Sequence, residues 1–308
     1  MNDSYKVISF YCFTPINEKC IQSFRDKLLQ YKNRGIFGLI ILAEEGINGT
    51  FCGKEEISDC FFKEIKSFSK HKDLNEKISF SKDRIFKTLK IKIKSEIVTM
   101  GIKNINPSLS SGIYVDSTDW NYLIKDKDTL VIDTRNYYEV SLGSFKNSLN
   151  PKTRNFKEFP KWIDKNLNKY LKNKKDKNIA MFCTGGIRCE KATSLLKEKG
   201  FKNVYHLKGG ILKYLENISP DENLYKGECY VFDERVAVDS KLKKGSYSIC
   251  HACGMPLSFE DKNNKLYIEG VQCHFCKDKF SDQDRLRFAE RQKQIDKKIM
   301  QSKIVKEI

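Results

Sequence analysis

The chain has 308 residues, 40% of them hydrophobic and 12% aromatic, which is enough for two or three domains with cores of their own. No stretch approaches the roughly 18 uninterrupted apolar residues that a membrane-crossing helix needs, and MNDSYKVISF lacks the basic-then-apolar pattern of a signal peptide, so a cytoplasmic protein is expected. The net charge of +17 favours an anionic partner, but 47 of the 57 basic residues are lysine, a skew that codon bias produces as readily as a phosphate-binding surface.

The first hundred residues alternate between strand and helix patterns: VISFYCF, then CIQSFRDKLLQY, GLIILA, EEISDCFFKEIKSF and a closing LKIKIK. This predicts a βαββαβ-like unit over 1–104. In the closing piece Leu89, Ile91 and Ile93 alternate with Lys90, Lys92 and Lys94, as expected for a strand with one buried and one wet face. Asn48-Gly49 within AEEGINGT is a turn signal, and the two carboxylates there, Glu44 and Glu45, are expected to be solvated. A Ser-, Pro- and Gly-containing linker, INPSLSSG, predicts a domain boundary near 105–112. Beyond it, LVID (130–133), IAMF (179–182) and VYHL (204–207) alternate with helical patterns, which predicts an α/β domain with a parallel sheet over 112–220. The remainder, 221–308, is Cys-rich and ends in a charged helix, SDQDRLRFAERQKQIDKKIM, opened by a Ser/Asp cap.

Eleven cysteines in a reducing compartment are read for catalysis or metal binding before disulfides. Cys183 lies between the IAMF strand and a helix whose apolar face is marked by Ala192, Leu195 and Leu196, with Gly200 as its stop. At such a junction a glycine-rich turn points backbone N–H groups inward, and the helix N-terminus adds about half a positive charge. That field lowers a thiol pKa, to roughly 3.5–7.5 in comparable settings, and would equally stabilise an anionic sulfur carried on the cysteine. Four residues (Thr184, Gly185, Gly186 and Ile187) separate Cys183 from Arg188, a tighter cradle than cysteine phosphatases use, with Arg188 expected to complete it. The alternative is a buried, inert Cys183 on a mere turn. Cys189 is either a resolving thiol or a packed helix cysteine.

Cys-Thr-Gly-Gly-Ile-Arg in this context resembles the active loop of the rhodanese family. VIDTRNYYEV, with Asp133 and Arg135, resembles that family's structural Asp-x-Arg element, and HLKGGI its closing strand and glycine pair.

Near the C-terminus, Cys250-x2-Cys253 and Cys273-x2-Cys276 are nineteen residues apart, the spacing of a closed four-thiolate structural zinc site. His251 and His274 adjoin the pairs but are not needed as ligands. Cys12, Cys20, Cys52, Cys60 and Cys229 show no pairing logic and are expected to be core or incidental.

AEEGINGT, CTGGIRCEK, GECYVFDERV (227–236) and the two CxxC pairs, in this order over nearly the whole chain, resemble the rhodanese-related tRNA uridine hydroxylase family. The resemblance implies a ferredoxin-like first domain, a rhodanese domain and an oxidoreductase that hydroxylates carbon 5 of the wobble uridine, position 34, to 5-hydroxyuridine. It also implies that Cys183 is the essential cysteine, that molecular oxygen is the co-substrate and that the tRNA anticodon loop is the partner. The electron donor is not named by the sequence, and no flavin, haem or dinucleotide motif is visible. Arg285, Arg287, Arg291 and the lysine row at 90–94 are candidates for RNA contacts. The rival reading is a sulfurtransferase that carries a persulfide on Cys183. A third is an inactive RNA-binding or scaffold protein, which the intact Cys183 and Arg188 argue against.

Overall fold

The structure, a computed structural model, describes residues 4–69, 74–172 and 176–307. Its N-terminal unit runs β1 (Tyr5–Phe13), α1 (Glu18–Leu29), β2 (Phe37–Ala43), β3 (Gly46–Gly53), α2 (Glu55–Ser69), β4 (Asn75–Ser81) and β5 (Leu89–Ile93). The sheet order is β4-β1-β3-β2-β5, antiparallel except for the parallel β2–β5 pair. The alternation of β1 sends Ile8 and Phe10 into a core shared with Leu28 of α1 and with Phe61 and Ile65 of α2. Residues of the opposite parity, Ser9 and Tyr11, face away from the helices, and their cross-strand neighbours on β3 are Thr50 and Asn48. That second, more polar sheet face is the one turned toward the site.

Two expectations need correction here. LKIKIK is a fifth strand and not the closing one: β4 completes the βαββαβ order, and β5 adds beside β2 at the far edge. Leu89 and Ile91 are buried and the three lysines exposed as the alternation requires, but Ile93 is nearly half exposed at the strand end. Asn48-Gly49 sits inside β3; the two-residue hairpin that joins β2 to β3 is Glu44-Glu45.

The middle unit runs β6 (Ile113–Val115), α3 (Ser117–Lys125), β7 (Thr129–Asp133), α4 (Tyr137–Val140), β8 (Gly143–Phe145), α5 (Phe159–Leu171), β9 (Asn178–Phe182), α6 (Ile187–Glu198), β10 (Val204–Leu207) and α7 (Gly210–Asn217). Its parallel sheet has the order β6-β10-β9-β7. Both faces are covered, which is why its strands are continuous apolar runs. Phe159 and Ile163 of α5 and Leu195 of α6 pack on one side; Trp120 of α3 and Ile211 and Tyr214 of α7 pack on the other.

Helix α6 shows more than the single apolar face its sequence predicts: every residue from Arg188 to Leu196 is buried. The N-terminal unit covers its polar side. The Tyr11 hydroxyl donates to Glu190 at 2.9 Å, and Tyr114 donates to the other oxygen at 2.7 Å. Lys191 bridges Glu45 at 2.7 Å and Glu96 at 2.6 Å. Glu45, expected to be solvated, is therefore a tie across the seam, and it also accepts from the Ile97 N–H.

The C-terminal part carries β11 (Tyr225–Gly227), which pairs with β8, then short two-stranded sheets made of β12 (Cys229–Tyr230) with β13 (Ala237–Val238) and β14 (Ser248–Ile249) with β15 (Pro256–Leu257). A short α8 (Phe259–Lys262) follows, and the chain closes with α9 (Asp282–Glu307). Ser281 and Asp284 exchange side-chain-to-backbone hydrogen bonds at the start of α9, the capping the sequence predicts.

Candidate functional site

Cys183 is the first residue after β9, and the turn Thr184–Gly186 delivers the chain into α6. Gly186 has φ +101°, which favours glycine, and a methyl group built on it would lie 2.8 Å from the Tyr11 hydroxyl oxygen. Its N–H donates to Cys183 Sγ at 3.1 Å. The glycine pair of HLKGGI closes the loop from behind: the Ile211 N–H donates to the Cys183 carbonyl at 2.9 Å, and a methyl on Gly210 would lie 2.5 Å from that same oxygen.

Burial would push the Cys183 thiol up. The Cys189 thiol, the Arg188 charge and the N–H groups of Cys189 and Arg188 outweigh burial and bring it down to about 5. Cys183 is thus a thiolate at neutral pH. Cys189, fully buried, is pushed well above the usual thiol range by desolvation and by donating its proton to Cys183; it also contacts Thr134 Oγ1 at 3.6 Å.

Arg188 has a partner that the sequence does not announce. Its guanidinium makes a bidentate pair with Glu139, at 2.6 and 2.7 Å, with the carboxylate fully buried. Thr184 Oγ1 lies 3.4 Å from both partners. The cradle around Cys183 is therefore built from backbone N–H groups, while Arg188 acts on the sulfur from within a neutral pair. Glu139 lies within VIDTRNYYEV but carries no local signal of this pairing. Asp133 and Arg135 form a separate, fully buried pair at 2.7 Å, and Arg135 also donates to the Gly143 carbonyl at 2.6 Å. They fix the loop before α4, and so the place of Glu139.

Cys183 opens on a cavity of about 750 Å³ between the N-terminal sheet and the Cys183 loop. The open face of the sheet forms one wall with Tyr11, Thr50 and Lys77; Cys183, Gly185 and Arg188 form the other; and Phe232 and Arg235, from GECYVFDERV, close a side. Phe232 is exposed, and Arg235 is paired with Asp233 at 2.6 Å. Tyr11, Lys77 and Phe232 escape a reading of the sequence because nothing local ties them to Cys183.

The Cys250, Cys253, Cys273 and Cys276 thiols lie within 4.8 Å of one another. Sulfur–sulfur separations of 3.8 Å (Cys253–Cys273) and 3.7 Å (Cys273–Cys276) match the edge of about 3.8 Å for a tetrahedron with metal–sulfur bonds of about 2.3 Å, and exceed a disulfide bond. The cluster can hold a metal ion without His251 or His274. Of the other cysteines, Cys12, Cys52 and Cys229 are buried and Cys20 and Cys60 exposed.

The arginines of α9 are engaged within the chain. Arg285 donates to the Lys277 and Phe280 carbonyls, Arg291 to those of His251 and Gly270, and Arg287 pairs with Asp284. Arg285 and Arg291 fasten α9 to the cysteine cluster, so two of the three proposed RNA contacts serve the fold. Of the lysine row, Lys94 lies at the cavity.

Residues 5–97 match the UPF0176 acylphosphatase like domain and residues 118–217 the rhodanese-like domain. The chain is 60% identical over 305 residues to the tRNA uridine(34) hydroxylase of Prochlorococcus marinus (strain MIT 9215), covering 98% of each chain. It is 61% identical over 297 residues to the protein of the same name from Prochlorococcus marinus subsp. pastoris, covering 96% of each. A third relative so named, from Prochlorococcus marinus (strain NATL1A), is 48% identical over 293 residues, 95% of this chain and 92% of the relative.

Proposed function

Because the chain belongs to the tRNA uridine(34) hydroxylase family, we propose that it hydroxylates carbon 5 of the wobble uridine, with dioxygen as co-substrate and Cys183 as the nucleophile. The observation that supports this chemistry is a thiolate framed by N–H donors beside a cavity of about 750 Å³, roomy enough to take a nucleotide. Uridine, dioxygen, two electrons and two protons give 5-hydroxyuridine and water. Cys183 Sγ adds to carbon 6, the π pair moves to carbon 5 and the carbon 4 carbonyl, and carbon 5 bonds one atom of dioxygen; an external two-electron reductant then cleaves the O–O bond, and the second atom leaves as water. Loss of the carbon 5 proton and of the thiolate restores the ring. Cys189, hydrogen-bonded to Cys183, would be the thiol that resolves an oxidised Cys183. Arg188, held by Glu139, lowers the thiol pKa from behind, in place of the direct anion contact that the sequence suggests.

The substrate base has to leave its stack to reach Cys183, as bases do in other enzymes that act on them, and exposed Phe232 at the mouth suits stacking. Lys94 and Lys208, at the same mouth, suit the flanking phosphates. In this reading the chain is cytoplasmic and divides into a ferredoxin-like domain (1–104), a rhodanese domain (112–220) and a C-terminal region (221–308) in which Cys250, Cys253, Cys273 and Cys276 hold a structural zinc ion. Nucleoside mass spectrometry of tRNA from a deletion strain tests the activity: 5-hydroxyuridine-derived nucleosides are expected to disappear and to return with the wild-type gene but not with Cys183→Ser. Their persistence in the deletion strain would sink the proposal. The same N–H cradle favours a persulfide carrier as the second reading, and loss of a thiolated nucleoside from that strain would select it.

A further inference from the structure

Lys77 lies on β4, in the other unit, yet its ammonium donates to the carbonyl of Gly209 beside the Cys183 loop. A methyl group built on Gly209 would lie 3.4 Å from Lys77 Cε, and one on Gly186 would lie 3.6 Å from Gly209 N and Cα. The cation is therefore stacked across Gly209 onto the turn that carries Cys183, and both residues line the cavity.

Among the described residues Lys77 forms no ion pair. Glu76 beside it pairs with Lys66 at 2.6 Å, and Glu216 of α7 pairs with Lys213 at 2.8 Å. The titratable groups facing it are the Cys229 and Cys183 sulfurs and that Glu216–Lys213 pair, with exposed Lys208 further along the wall. Burial pushes Cys229 up to about 12, so it is a neutral thiol. The Cys183 thiolate is the one unpaired anion among these neighbours. Desolvation pushes the Lys77 amine down to about 7, with the two sulfurs pulling the other way. A half-buried cation on a cavity wall with a single carbonyl partner and no ion pair does little for the fold and is suited to function.

We infer that Lys77 is the proton-bearing group of the site, its ammonium meeting the carbon 4 carbonyl oxygen, on which negative charge develops when Cys183 adds to carbon 6. This rests on the hydroxylase reading above. As the C6–S bond forms and the carbon 5–carbon 6 π bond breaks, the displaced pair reaches the carbon 4 oxygen, and a Lys77 proton shifts toward it. When carbon 5 uses that pair to bond oxygen, the proton returns to the amine, so this step consumes none. Such a donor is useful only while protonated, and the nucleophile only while deprotonated.

The test is the pH dependence of kcat/KM for hydroxylation by the full-length wild type, Lys77→Arg and Lys77→Met. The wild type is expected to gain activity as pH passes about 5 and to lose it as pH passes about 7. Arginine stays charged, so Lys77→Arg keeps the acid limb and loses the alkaline one. Lys77→Met is expected to lower kcat by roughly 100-fold or more, with KM changed by less than about threefold, and to slow covalent trapping on 5-fluorouridine tRNA. An alkaline limb unchanged in Lys77→Arg, or a Lys77→Met kcat near wild type, overturns the role of Lys77 alone. A wild type that neither hydroxylates nor traps 5-fluorouridine tRNA overturns the hydroxylase reading instead. If Lys77→Met fails to fold, Lys77→Arg decides, since it keeps a donor for the Gly209 carbonyl.

Discussion

Glu139→Gln is the substitution whose consequences are clearest from the structure. The carboxylate is fully buried and accepts two guanidinium hydrogen bonds of 2.6 and 2.7 Å from Arg188, itself nearly buried. A glutamine keeps the shape and one acceptor but removes the carboxylate charge paired with the guanidinium in a largely buried setting, leaving only the Cys183 thiolate to balance it. Breaking a buried pair from one side costs about 3–5 kcal/mol, whereas replacing both partners by apolar residues is often near neutral. Glu139→Gln should therefore lose about 3–5 kcal/mol of stability, and the double variant Glu139→Leu with Arg188→Met should recover most of it. Urea titration at pH 7, followed by tryptophan fluorescence and by circular dichroism to check that one transition is seen, measures both. A Glu139→Gln protein within about 1 kcal/mol of wild type would mean that water reaches the pair, and the picture of a dry, charge-compensated setting for Cys183 would fail with it.

The same site sets the next expectation: Cys189→Ala removes a hydrogen bond that lowers the Cys183 pKa, so the midpoint of thiolate absorbance against pH should move up from about 5, and an unmoved midpoint would show that the sulfurs are uncoupled. Tyr11→Phe deletes a hydrogen bond to Glu190, whose carboxyl is already raised by burial. A raised carboxyl stabilises the fold below the ordinary carboxylate range and loses that contribution as pH climbs through its folded value. The destabilisation by Tyr11→Phe, about 1–3 kcal/mol, should accordingly be larger at pH 7 than at pH 4 in paired urea titrations; a pH-independent loss would contradict it. Finally, Cys273→Ser should abolish stoichiometric zinc in elemental analysis and free the cluster's hold on α9, seen as faster amide exchange near Arg285 and Arg291; full zinc retention would contradict the four-thiolate site.

Legibility in the sequence followed the range of the interactions. The parallel strands of the middle unit could be read because sheets covered on both faces need apolar runs, and the Cys183 turn because its glycines, strand and helix are contiguous. The four zinc-spaced cysteines declared themselves in the same way. Strand β4, NEKISFS, could not be read: it is an edge strand with Ile78 and Phe80 exposed, so its pattern lacks a clean buried face. The Asn48-Gly49 signal misled because Gly49 sits in mid-strand, where its hydrogen lies over Ile40 and a methyl would lie 2.5 Å from the Ile40 side chain. Glu45, Glu139, Glu190 and Lys77 each meet partners scores of residues away, and no local pattern announces such a meeting.

The ties from Tyr11 and Glu45 to α6 make the reactive pocket a property of neither unit. A rhodanese-like segment cut free would retain its cysteine turn and its parallel sheet, but the turn would then stand open to solvent, with one wall and no ceiling. Grafting a foreign rhodanese module into this chain would meet the converse obstacle, since it would need a glutamate and a lysine at the places of Glu190 and Lys191 to keep these ties. The pocket therefore depends on a joint, and a charge changed on one side of it has to be matched on the other for the two walls to meet.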